Sequence, residues 1–65
     1  MNTLPAAYER YLEGRDENFV LTVRPILLQS AADKLHGVRV VVLPHEVQAF
    51  LDEKVAYGEV FEEGF

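Results

Sequence analysis

The stretch "GVRVVVLPHEVQAFLDEKVAYGE", Gly37 to Glu59, decides how this chain is read. Its first part, Val38 to Leu43, predicts a strand, because four valines crowd a run of six and branched side chains suit a pleated surface. Alternation fails within it. Val38, Val40 and Val42 fill one face, while Val41 and Leu43 lie with Arg39 on the other. A run apolar on both faces belongs in the middle of a covered sheet. Pro44 then predicts the start of a helix through about Tyr57, with Val47, Phe50, Leu51 and Val55 as its buried stripe and Gly58 as its stop. Residues 58–65 end in "EVFEEGF", read as a short edge strand around Glu59–Phe61 or as a tail.

Upstream, "NFVLTVR" from Asn18 to Arg24 alternates as a strand does, with Phe19, Leu21 and Val23 on one face and Pro25 ending regular pairing. The segment "ILLQSAADKLHG" has two readings. One is a helix from Ile26 to His36, with Pro25 at its start and Gly37 just past its end. The other keeps "ILLQ" extended and begins a short turn at Ser30, where Ser30 and Asp33 are spaced as a capping box. The longer helix is preferred; it predicts a parallel crossover, the turn an antiparallel pair. Leu4 to Glu13 predicts a first helix, with Leu4, Tyr8, Tyr11 and Leu12 on one face, Thr3 as cap, Pro5 in the first turn and Gly14 as stop. The expected fold is a single small globular domain over residues 1–65. It is α/β, or α+β if the strands pair antiparallel, in the order helix–strand–helix–strand–helix with the C-terminal edge strand as an addition.

At 65 residues and 49% apolar content a packed core is expected, with a thin margin of stability. There is no cysteine, so disulfides and thiolate metal sites are excluded, and a reducing compartment fits. The N-terminus lacks the basic start and apolar run of a secretory signal, and no stretch approaches the ~20 apolar residues that cross a bilayer. A soluble, cytoplasmic protein is expected. The net charge of −5 is uneven. From residue 46 onward Glu46, Asp52, Glu53, Glu59, Glu62 and Glu63 face Lys54 alone, and the rest of the chain balances. Such a surface disfavours nucleic acid and anionic membranes, and suits a protein partner with a basic surface.

Catalytic constellations are missing from the pattern. The glycines at 14, 37, 58 and 64 are isolated, so there is no phosphate loop. Ser30 has no elbow motif and reads as a helix cap or an exposed helical serine. His36 and His45 flank the surest strand, about 20 Å apart at ~3.3 Å per residue, too far to share a metal. No cofactor, metal or enzymatic activity is expected. One anion-binding candidate is the sheet edge where Arg24 and His45 would meet at the starts of two helices.

"VRVVVLPHEVQAFLDEKVAYG" locally resembles the opening of ribbon-helix-helix antitoxins, a strand, a proline turn and a helix ending near glycine. The resemblance implies a strand that pairs with its twin and enters the DNA major groove, with Arg39 as the exposed reader. The chain departs from that pattern in carrying Arg39 alone as a polar reader, in its acidity, and in having only residues 59–65 after Gly58. The leading expectation is therefore a small acidic regulator, inhibitor or antitoxin-like protein that binds a protein partner. It would form a homodimer through the apolar strand at Val38, Val40 and Val42. Glu59, Phe61, Glu62, Glu63 and Phe65 would supply aromatic anchors with an acidic rim. A dimeric DNA-binding module and a small ligand-binding domain are the alternatives.

Overall fold

The computed structural model describes residues 4–64. Two helices precede three strands: α1 (Ala6–Leu12), α2 (Glu17–Asp33), β1 (Gly37–Val42), β2 (Val47–Asp52) and β3 (Val60–Gly64). The strands form one sheet in the order β2-β1-β3. β1 pairs antiparallel with β2, Arg39 opposite Phe50, and parallel with β3, Arg39 opposite Phe61. The fold is α+β with a mixed sheet, and its C-terminal edge strand is β3.

The apolar strand lies in the centre of the sheet. Val38 and Val40 are fully buried on the face that meets the helices, and Val42, Val47, Ala49, Leu51 and Val60 complete that face. From the other side come Leu4, Tyr8, Val23 and Leu27. Burying each Val or Leu stabilises by about 1.5–3 kcal/mol. α2 lies across β2 and β1, and α1 rests against α2 and β3. Among the described residues no helix lies on the second face of the sheet.

Several expectations require correction. Asn18–Arg24 is not a strand but the first part of α2. Asp16 caps this helix, its carboxylate accepting from the Phe19 N–H at 2.7 Å, which satisfies one of the first-turn amides. Val23, Leu27 and Ser30, spaced i, i+4 and i+7, form the buried line. Pro25 does not end the helix because it lies on the exposed face, so the Leu21 carbonyl it deprives of a donor is next to water. The preferred helix over 26–36 holds as far as Asp33. It stops there because Lys34 turns left-handed at φ 55°, and Gly37 opens β1 instead of capping α2. No parallel β-α-β crossover forms, since no strand precedes α2.

The expected helix from Pro44 to Tyr57 is also absent. Residues 43–46 form a hairpin turn closed by the Leu43 N–H on the Glu46 carbonyl at 2.8 Å, and Val47–Asp52 is β2. The stretch carries both periods. A strand wins because one edge of β1 lies there, and backbone groups left unpaired beside the packed core are costly. The chain then crosses the end of β1 through residues 53–59 to reach β3.

The first helix is shorter than Leu4–Glu13, with Pro5 at its N-cap position, and it ends where Gly14 takes φ 73°. The capping role read for Thr3 lies outside the described residues. A buried chain of hydrogen bonds locks α1 to everything else. The Ser30 hydroxyl donates to the His36 carbonyl at 2.6 Å. Its one proton is thereby used, so Tyr8 must be the donor in the 2.6 Å bond between Tyr8 Oη and Ser30 Oγ. Tyr8 Oη in turn accepts from the Gly58 N–H at 3.1 Å. Among the described residues no buried polar side-chain atom lacks a partner. Ser30 is therefore neither a cap nor exposed.

Candidate functional site

The helix-free face of the sheet is built by alternation. Residues facing away from the core are Gly37, Arg39 and Val41 on β1, Gln48, Phe50 and Asp52 on β2, and Phe61 and Glu63 on β3. Cross-strand register sets Phe50, Arg39 and Phe61 in one row. Phe50 is 45% and Phe61 50% exposed, large values for aromatic rings on a sheet. Between them the Arg39 guanidinium lies 4.7 Å from the centroid of the Phe61 ring.

Arg39 is held from both sides. Its Nε donates to Asp52 on β2 and its NH1 to Glu63 on β3, with side-chain exposure of 21% for Arg39 and 13% for Asp52. The bond to Arg39, followed by the Lys54 N–H, holds the Asp52 carboxyl below its ordinary range. The Asp52 bond likewise raises Arg39 above its already high value. The Arg39 charge is thus already paired within the chain, and the triad it forms with Asp52 and Glu63 carries one negative charge in excess, which an occupant covering the aromatics must balance.

A second cluster joins α1 to the sheet. Tyr11 donates to Glu62, and Arg15 reaches the same carboxylate at 3.2 Å. Arg15 also stacks 4.6 Å from the Tyr11 centroid and 4.5 Å from that of Phe19. Burial, then the Glu62 carboxylate, push the Tyr11 phenol well up.

The candidates from sequence fall into place unevenly. Val38 and Val40 are core, Val42 is half-buried beside them, and both edges of β1 are paired within the chain. Self-association through β1 is therefore closed. Phe61 and Glu63 reach the open face and Glu62 the helix side, while exposed Glu59 offers its carbonyl to the Val38 N–H. Phe65 lies outside the described residues. Arg24 and His45 do not mark two helix starts: Arg24 is within α2, and His45 sits in the hairpin turn. His45 lines a cavity of about 270 Å³ with Asp16, Asn18 and Glu46, and Arg24 is not among its walls. With two carboxylates there, the anion site loses its basis. His36 and His45 stand at opposite ends of β1, and among the described residues no three His, Asp or Glu side chains gather as metal ligands. The strand–helix unit of the ribbon-helix-helix resemblance is lost with β2, and Arg39 as DNA reader is engaged by two carboxylates.

Phe50 was not among the residues singled out, because the helical reading placed it in a buried stripe. The signal was available in the alternation of Gln48, Phe50 and Asp52 against Val47, Ala49 and Leu51. No helix among the described residues is long and apolar enough to cross a membrane.

What these features define is a small α+β unit with one helix-covered and one open sheet face. No protein-family model, curated protein or solved structure matches the chain.

Proposed function

We propose that this chain is a small, acidic, non-catalytic interaction protein whose helix-free sheet face docks on a protein partner, acting as a regulator or inhibitor by occupying it. The observation that carries this is the Phe50–Arg39–Phe61 row: two half-exposed aromatic rings flank an arginine that its own carboxylates neutralise. Aromatics and arginine are the side chains most enriched at binding hot spots. Asp52, Glu59 and Glu63 border the row in the acidic part of the chain, so the occupant is an apolar patch rimmed by lysine or arginine. The cysteine-free composition supports a cytoplasmic setting.

The test is affinity capture with an N-terminally tagged chain, run beside a variant carrying both Phe50→Ser and Phe61→Ser. The expected result is a protein with a basic surface, retained in stoichiometric amount by the parent chain, released by salt and lost by a folded double variant. A partner held equally by both chains would overturn the assignment of this face.

A further inference from the structure

We infer that two copies of this chain join through the free edges of β2, making one continuous six-stranded sheet in the order β3-β1-β2-β2-β1-β3. This surface is distinct from the open face and does not depend on its role.

The phase of the β1–β2 hairpin carries the argument. The Leu43 N–H bonds to Glu46, and the Val38 N–H turns the opposite way, to Glu59 beside β3. In an antiparallel ladder the bonded pairs alternate, so Arg39–Phe50 and Val41–Gln48 exchange the bonds between β1 and β2. The N–H and C=O groups of Val47, Ala49 and Leu51 therefore point away from β1, along an edge that pairs with no strand among the described residues. Exposed edges are commonly guarded by lysine, proline, bulges or charges. Val47 to Leu51 contains none of these.

This edge is complementary to itself. With a twofold axis at Ala49, Ala49 meets Ala49 and Val47 meets Leu51 of the second copy. Every outward group then finds a partner, and side chains on each face keep their side. The small side chain on the axis leaves room above it for the helices. α2 contacts α1 through Phe19 against Tyr11 and packs on β2 and β1 through the line of Val23, Leu27 and Ser30. Leu21, 66% exposed, lies on the outer face of the helix, away from the sheet and from the axis.

The β3 edge does not offer the same solution. Pairing β3 with itself about Glu62 or Glu63 would oppose that glutamate to its own copy, and pairing about Phe61 would oppose Glu59 to Glu63 on both sides of the axis; like charges directly opposite are destabilising. Glu62 is already bound by Tyr11 and Arg15. In the β2 pairing the one like-charge opposition is Glu46 against Asp52 of the second copy, and Arg39 neutralises that aspartate.

Sedimentation equilibrium on the full chain tests the inference, with Ala49→Pro and Leu21→Glu as variants. The Ala49 N–H makes no bond to β1 in this phase, so proline there removes the central intermolecular bond and spares the hairpin. The parent chain is expected to sediment at twice its 7.4 kDa mass, more tightly as salt screens the repulsion between two chains of net charge −5. Ala49→Pro should weaken the dimer by about 100-fold or more, and Leu21→Glu, on the outer face of α2 away from the β2 edge, should leave it unchanged. A parent chain that stays monomeric at about 100 µM overturns the inference. So does a dimer that Leu21→Glu weakens as much as Ala49→Pro does, or one that a folded Ala49→Pro chain forms as tightly as the parent.

Discussion

Gly37 lies directly beneath Ala56: a Cβ on Gly37 would stand 2.3 Å from the Ala56 carbonyl oxygen, and 2.5 Å from both the Glu59 carbonyl and a Val55 methyl. The crossover from β2 to β3 presses on the first residue of β1, and the Gly37 N–H fastens it by donating to the Val55 carbonyl at 2.7 Å. The requirement for glycine here is space. Two of the three obstructing atoms are backbone, so they cannot rotate away. Gly37→Ala is expected to cost about 3 kcal/mol, read as a lowered urea midpoint. Gly58→Ala, at φ 88° with nothing nearby, should cost only about 1–2 kcal/mol. Equal losses would show that the crossover is loose.

Ser30→Ala should be more damaging than Tyr8→Phe. The first strands both the Tyr8 hydroxyl and the His36 carbonyl, for about 2–3 kcal/mol. The second leaves the Ser30–His36 bond intact; it removes the bond that Ser30 Oγ accepts and strands one donor, the Gly58 N–H, for about 1–2 kcal/mol. Denaturant titration of both variants gives the ranking. The reverse order would mean that the proton between Tyr8 and Ser30 runs the other way.

Pro25→Ala is expected to stabilise the chain. An interior proline costs a helix about 3 kcal/mol, less the up to ~1 kcal/mol it returns by stiffening the unfolded chain. A gain of about 1–2 kcal/mol in unfolding free energy follows. A loss would show that Pro25 contributes to the way α2 lies along the sheet.

Acid should weaken the fold through Asp52. Its folded pKa is depressed by Arg39, so its contribution is present above the unfolded value near 3.8 and fades as pH falls through the lower folded value. Unfolding free energy measured from pH 6 downward should drop most steeply below about pH 4. In Arg39→Met the carboxylates of Asp52 and Glu63 face each other unpaired, and the same descent should flatten or reverse. A parallel curve would remove the ion triad from the account.

Alkali acts on Tyr11 with the opposite sign. Its folded pKa is raised above the ordinary 10.0 by burial and then by Glu62. Its contribution is therefore intact below pH 10 and is lost as pH climbs toward the folded value. The Tyr11 ring resonances should stay unmoved at pH 11, and Tyr11→Phe should lessen the alkaline loss of stability. Titration of Tyr11 near pH 10 would contradict the Glu62 contact.

The legible parts of the fold were those where one physical demand outweighed the rest. Val38–Leu43 reads as a central strand because four valines in six residues favour a pleated surface, although the face that carries Arg39 and Val41 stays free of helices. Gly14 stopped α1 and the helical pattern of 26–33 held, since small and straight-chain residues there suit a helix. Elsewhere two periods coexist. Val47, Phe50 and Leu51 fit a helix as well as Val47, Ala49 and Leu51 fit a strand, and Phe19–Arg24 carries the same ambiguity in reverse. The Asp16 cap was a local signal for α2 that the proline at 25 outweighed in a reading by segments. The candidate site suffered for this, because Phe50 changes from buried to exposed when a helix becomes a strand.

By itself, then, the sequence determined an acidic, cysteine-free chain of mixed helix and strand organised around one strand, and the residue types that would line any surface it offers. Only the tertiary structure decided which segments pair with that strand, and so which face stays open. Backbone hydrogen bonding is the reason. The two edges of β1 demand partners that no local preference names, and satisfying them turned 47–52 into β2, drew 60–64 alongside, and put Phe50 and Phe61 on either side of Arg39.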